Sequence, residues 1–243
     1  MDADREAGVD MDFIADRDSI EQALEQIARR HRVPGMVAGI LQGGRQVVGV
    51  TGITSVQHRR PMEPETAMQV ASVTKLFTAM AVLQLVEQGR VDLDRPLGEQ
   101  GIAAPLASET ARERLSLRHL LSHQGGFASS SLHLSGRDYG NDDGALGRMI
   151  GDFDQLEQWT WPGQAYCYNN HGFDLTGFVI ETITGQPYED ILRRTVFQPA
   201  GVAARFIQEI HPSNAVATGH QLDADNTPVP LPWGEAKGRS SHP

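Results

Sequence analysis

The run Ala-Ser-Val-Thr-Lys-Leu-Phe places Ser72 three residues before Lys75 in an otherwise apolar stretch. On a helix, positions i and i+3 share one face, so the two side chains stand beside each other. A serine hydroxyl is a weak nucleophile until a neighbouring base takes its proton. Val70, Leu76 and Phe77 disfavour a charge on Lys75, which makes the lysine a usable base. A helix starting at Ser72 also turns its N–H groups and positive dipole end toward an oxyanion forming there. The blander reading of the same residues is a capping serine followed by a surface lysine. S-x-x-K gains meaning only from partners further along the chain. Tyr168 and Asn170, in AYCYNNHGFDLTG, supply a Y-x-N triplet. A tyrosine there can relay a proton to a leaving group. An asparagine amide can orient Lys75 and bind a substrate carbonyl.

These side chains need a scaffold, and the bulk composition allows one. The chain has 243 residues, 40% of them hydrophobic, enough for a sizeable core. Its 31 acidic against 21 basic residues give a net charge of −10, which disfavours nucleic acid and anionic lipid as partners. The single cysteine, Cys167, excludes an intrachain disulfide and suits a reducing compartment. The acidic start, MDADREAGVDMDF, is not a secretory signal, and no window has the roughly 18 apolar residues of a membrane span. The expectation is a cytoplasmic protein, or a periplasmic or secreted one if the coding sequence starts elsewhere.

The elements follow from periodicity. DSIEQALEQIARRHRV is an amphipathic helix with Ile20, Leu24 and Ile27 on one face and Asp18 as its cap. Two β-rich runs flank Gly43-Gly44, a two-residue hairpin signal. A long helix is expected from Ser72 to Gln88, stopped by Gly89. LSLRHLLSHQGGF reads as a short helix ending at Gly125-Gly126, and residues 129–144 as loop. Further helices are expected through Phe178 to Thr182 and from Tyr188 to Val196. The tail is rich in proline and glycine and is expected to be disordered over 220–243.

Three blocks, ASVTKLFTAMAVLQLVEQGRVDLDRPL, LSLRHLLSHQGGF and WPGQAYCYNNHGFDLTGFVIETITGQPYEDILRRTVFQPAG, resemble in order and spacing the serine β-lactamase-related hydrolases. That family includes class C β-lactamases, D-alanyl-D-alanine carboxypeptidases of the same fold and β-lactamase-like esterases. The resemblance implies an α+β fold of the β-lactamase/transpeptidase type, an antiparallel sheet with a large helical subdomain, over residues 1–219. It implies Ser72 as the acylated nucleophile, Lys75 and Tyr168 sharing general acid/base work, and Asn170 binding substrate. The Ser72 N–H would be one oxyanion donor. No cofactor and no metal are implied. The family carries a third motif, K-T-G or H-x-G, on a later strand, and none is found here. Ala217-Thr218-Gly219 lacks the cation, and Lys237-Gly238 lacks the middle residue. The resemblance thus implies an incomplete sheet, a chain cut short, and weak or absent activity.

Other signals are weaker. His119 and His123 have zinc-site spacing, but the glutamate of H-E-x-x-H is missing and a packed helix end is the better reading. His171 reads as a solvated loop histidine, and Cys167 as a small buried residue. Asp92 and Asp94 are expected to pin the turn after the long helix. No G-x-S-x-G, P-loop or dinucleotide fingerprint appears. The expected function is hydrolysis of a small-molecule ester, amide or β-lactam through an acyl-enzyme on Ser72. The rival is a catalytically dead homologue acting as a binding or scaffold protein, or a non-functional fragment.

Overall fold

A computed structural model of the chain describes residues 16–128, 137–140, 142–206, 209–210 and 216–231. The chain divides into two compact units, Met1–Met68 with His211–Gly234, and Gln69–Ile210 with Glu235–Pro243.

In the first unit, helix α1 (Arg17–His31) lies on a hairpin of β1 (Gly35–Gln42) and β2 (Arg45–Gly52). Ile20 and Leu24 are buried against Met36, Ala38 and Val47, the contact that the helical spacing of the apolar residues anticipates. The cap is Asp16 rather than Asp18: its side chain accepts from the Ser19 N–H at 2.7 Å. Gly43 and Gly44 both have positive φ, 56° and 80°, as a tight two-residue turn between right-twisted strands demands. The strands pair antiparallel from Gln42↔Arg45 to Gly35↔Gly52.

The expectation of a disordered segment from residue 220 fails over its described part. β3 (His220–Leu222) and β4 (Pro228–Pro230) pair antiparallel. Main-chain bonds from Leu231 N to Gly219 O and from Asp223 N to Thr227 O frame the pair. By the alternation of an antiparallel ladder, Pro228 and Pro230 stand where no N–H is needed, so proline does not break it. Residues 232–243 lie outside the described residues.

The second unit is mostly helical. Helix α2 (Thr74–Glu87) buries Thr74, Lys75, Thr78, Ala81, Val82 and Leu85, one stripe at helical spacing, while Leu76, Met80 and Leu83 on its other side are exposed. Gly89, at φ 67°, ends it. The short helices α3 (Glu109–Arg114), α4 (Leu117–Leu121) and α5 (Ala145–Gly151) follow. Then come α6 (His171–Thr184) and α7 (Tyr188–Leu192), the latter running through a π turn (Arg193–Phe197) into α8 (Gln198–Ala200). Leu97, Leu115, Leu117, Leu120, Phe127, Leu146, Ile150, Phe153, Leu175 and Ile180 form one core with Tyr188. Burial pushes the Tyr188 phenol up, and its hydroxyl is satisfied by Thr78 Oγ1 at 2.6 Å. Asp92 pins its turn as expected, accepting from Asp94 N at 2.8 Å and Arg95 N at 3.2 Å, while Asp94 pairs with Arg118. The expected loop at 129–144 falls partly outside the described residues, at 129–136 and 141.

Two extended segments of this unit are zipped together. Ala128 N bonds Glu157 O, Trp159 N and Thr160 N bond Gly126 O, Gly163 N bonds Gln124 O, and Cys167 N bonds His123 O. Gly126 stands at φ 82°, and a Cβ there would collide with the Thr160 carbonyl and the Gln158 amide. Gly126→Ala is therefore expected to lower Tm by roughly 5–10 °C, read by calorimetry. Among the described residues, no helix is long and apolar enough to cross a membrane.

Candidate active site

All four residues singled out in the sequence come together in the second unit. Ser72 sits in a 3₁₀ turn, Ala71–Val73, just ahead of α2. Its side chain is exposed and makes no capping bond. Ala71 before it has φ 44°, a left-handed conformation uncommon for a residue with a Cβ. Strain of this kind persists only where surrounding contacts hold it. Lys75 is only 7% exposed, so the surface-lysine reading fails. Its Nζ donates to Asn170 Oδ1 at 2.8 Å and reaches Ser72 Oγ at 3.4 Å. The ammonium also lies 5.1 Å from the Tyr168 ring centre and 5.4 Å from that of Phe173. A buried lysine requires such partners.

Tyr168 OH donates to Ser72 Oγ at 2.6 Å. Burial raises the Tyr168 pKa, but the bond to Ser72 and the adjacent Lys75 outweigh it and hold the phenol below its ordinary value. The hydroxyls and the amine thus form one connected network: Tyr168–Ser72–Lys75–Asn170.

Asn170 is free to serve Lys75 because its neighbour does the capping. Asn169 Oδ1 accepts from Gly172 N at 2.8 Å, three residues on, which is the bond an N-cap makes. Its Nδ2 donates to Ala128 O, and it is buried. Asn170, which directly precedes α6, makes no side-chain capping bond. The sequence signal for Asn169 is an asparagine three residues before the helical Gly172. Asn169→Ala removes the cap on Gly172 N and the buried bond to Ala128 O. It is expected to cost about 2–3 kcal/mol, seen as a lower urea midpoint at unchanged m.

His171 differs from expectation, whereas His119 is the packed helix end the sequence suggests. His171 opens α6 and is buried at 9% exposure, its Nδ1 3.4 Å from Asp174 Oδ2. His119 closes a capping box with Ser116 in α4. His123 lies under Tyr168, their ring centres 4.4 Å apart. Cys167 is half-buried. No group of three or more metal-ligating side chains occurs among the described residues.

Comparison with known proteins places the chain in a family. The family described as Beta-lactamase matches residues 20–241. Penicillin-binding protein 4 of Amycolatopsis lactamdurans is 25% identical over 224 residues, covering 92% of this chain and 58% of that protein. Esterase EstB of Burkholderia gladioli is 28% identical over 232 residues, covering 88% of this chain and 59% of the esterase. The octameric penicillin-binding protein homologue from Pyrococcus abyssi superposes with a TM-score of 0.77 at 28% identity, over 94% of this chain and 53% of that one. The chain thus spans less than two thirds of the length of each of these relatives. The fold is the mixed α+β one of the β-lactamase/transpeptidase type, as the sequence blocks implied. With the match running over nearly the whole sequence, this chain belongs to the beta-lactamase family.

Proposed function

We propose that the chain is a serine hydrolase that cleaves an ester or amide carbonyl through an acyl-enzyme on Ser72. The observation that carries this is the exposed Ser72 Oγ held 2.6 Å from Tyr168 OH and 3.4 Å from Lys75 Nζ. Tyr168 and Lys75 act as one acid/base unit. Once ionised, Tyr168 is the nearer acceptor for the serine proton, and the Lys75 ammonium stabilises the phenolate. Ser72 Oγ attacks the carbonyl carbon as its proton passes to this pair. The oxyanion of the tetrahedral intermediate bonds to the Ser72 N–H. Collapse breaks the C–O or C–N bond, and the leaving group takes the proton from the same pair. Water then attacks the serine ester by the reverse route and restores Ser72. Asn170 holds Lys75 in line and turns its amide to the substrate carbonyl. The step needs no cofactor. Its substrates are small esters, amides or β-lactams, a range supported by relatives named as an esterase and as penicillin-binding proteins.

The test is turnover of a p-nitrophenyl ester and of nitrocefin by the chain and by its Ser72→Ala variant. An ester or nitrocefin turnover that falls to background in the variant supports the reading. Turnover that survives the substitution contradicts it. The ratio of the two rates sorts esterase from β-lactamase character.

A further inference from the structure

We propose that His123 is a positioning residue that seats the Tyr168 phenol against Ser72, an inference that rests on the acyl-transfer reading above. Tyr168 is 41% exposed, yet its hydroxyl is fixed at 2.6 Å from Ser72 Oγ. An exposed side chain on an irregular segment loses rotamer freedom only where something holds it. His123 holds it in three ways. The residue before the tyrosine, Cys167, donates its N–H to the His123 carbonyl at 2.8 Å. The residue after it, Asn169, donates its N–H to His123 Nδ1 at 3.3 Å. The Tyr168 ring itself lies on the imidazole at 4.4 Å and a tilt of 37°. Both flanks of the tyrosine and its ring are thus tied to one residue.

The imidazole is in turn boxed in. Its ring centre is 5.1 Å from Phe173 and 5.9 Å from Tyr166. The backbone of His123 stands at φ 57°, a left-handed conformation that side chains other than asparagine, aspartate and histidine seldom adopt. Nδ1 can accept from Asn169 only when unprotonated. Burial, and then the Lys75 cation, lower the His123 pKa and favour that form. The arrangement ties a short-helix end, Ser122-His123-Gln124, to a site whose reacting groups all lie elsewhere.

Two variants separate the ring from the acceptor. His123→Asn suits the left-handed backbone and keeps an acceptor but removes the ring. His123→Phe keeps a ring and removes the acceptor. The readout is the ionisation of Tyr168, taken as the ultraviolet difference between each chain and the same chain carrying Tyr168→Phe. In both variants Tyr168 is expected to titrate higher than in the parent, back toward the ordinary phenol range, because its bond to Ser72 and its proximity to Lys75 are loosened. Labelling of Ser72 by a fluorophosphonate is expected to slow about 10- to 100-fold. Unchanged Tyr168 titration in His123→Asn overturns the proposal; a raised one is not put down to the backbone, since asparagine tolerates the left-handed conformation. Absence of labelling in the parent chain would overturn the acyl-transfer reading instead, while the Tyr168 titration still decides the role of His123.

Discussion

Replacing Lys75 with methionine is expected to slow acylation of Ser72 by about 10²–10⁴-fold, the range lost when a positioned acid/base group is removed. Methionine matches the length of the lysine stem and suits the buried slot, so the fold should survive. The change removes the cation that contacts Ser72 Oγ, bonds Asn170 Oδ1 and lies over the Tyr168 ring. Exchanging a buried charge for an apolar side chain of similar volume is often near neutral for stability. The measured pattern should therefore be a large fall in labelling rate by time-resolved mass spectrometry with Tm moved by only a few degrees. A second signature follows from electrostatics. Without the Lys75 charge the Tyr168 phenol should titrate upward, since that charge helps to hold it low.

Tyr168→Phe is expected to cost about 10²–10³-fold in the same rate. Phenylalanine keeps the ring on His123 and loses only the hydroxyl that reaches Ser72. Because that hydroxyl lies at an exposed edge of the site, stability should barely change. The pH profile carries the sign. The proposed proton acceptor is the ionised phenol, and its pKa is depressed, so the parent's rate should climb with pH earlier than free tyrosine ionises. The phenylalanine variant should lack that rise. A Tyr168→Phe chain that keeps both the rate and the rise would assign the base role to Lys75 alone.

Much of this was legible from the residues alone. Ser72 and Lys75 are three apart on a helical face, and Tyr168 and Asn170 form a recognisable triplet, so the network needed only the fold to close it. The hairpin at Gly43-Gly44 and the stripe Ile20–Leu24 follow from local chemistry. Features that depend on contacts distant in sequence were not legible. Asn169 and Asn170 look alike in sequence. Which of them caps α6 and which serves Lys75 is decided by where Ala128 and Lys75 lie. His123 reads as a helix end because its partners, Cys167 to Asn169, are more than forty residues away. The segment from 220 to 231 reads as irregular because proline signals a break. Its two prolines fall on the outward positions of a ladder, a register that composition does not reveal. Asp16 rather than Asp18 caps α1, the usual uncertainty where two acceptors stand two residues apart.

The central claim, that Ser72 is an activated nucleophile, is tested most directly by intact-mass spectrometry. The chain and its Ser72→Ala variant are incubated with a fluorophosphonate and, separately, with a penicillin. The account predicts a mass increase of one adduct on the parent chain, lost in the alanine variant. A folded parent chain that takes up neither reagent, or an adduct that persists without Ser72, would contradict it and favour a binding or scaffold protein built on the same fold.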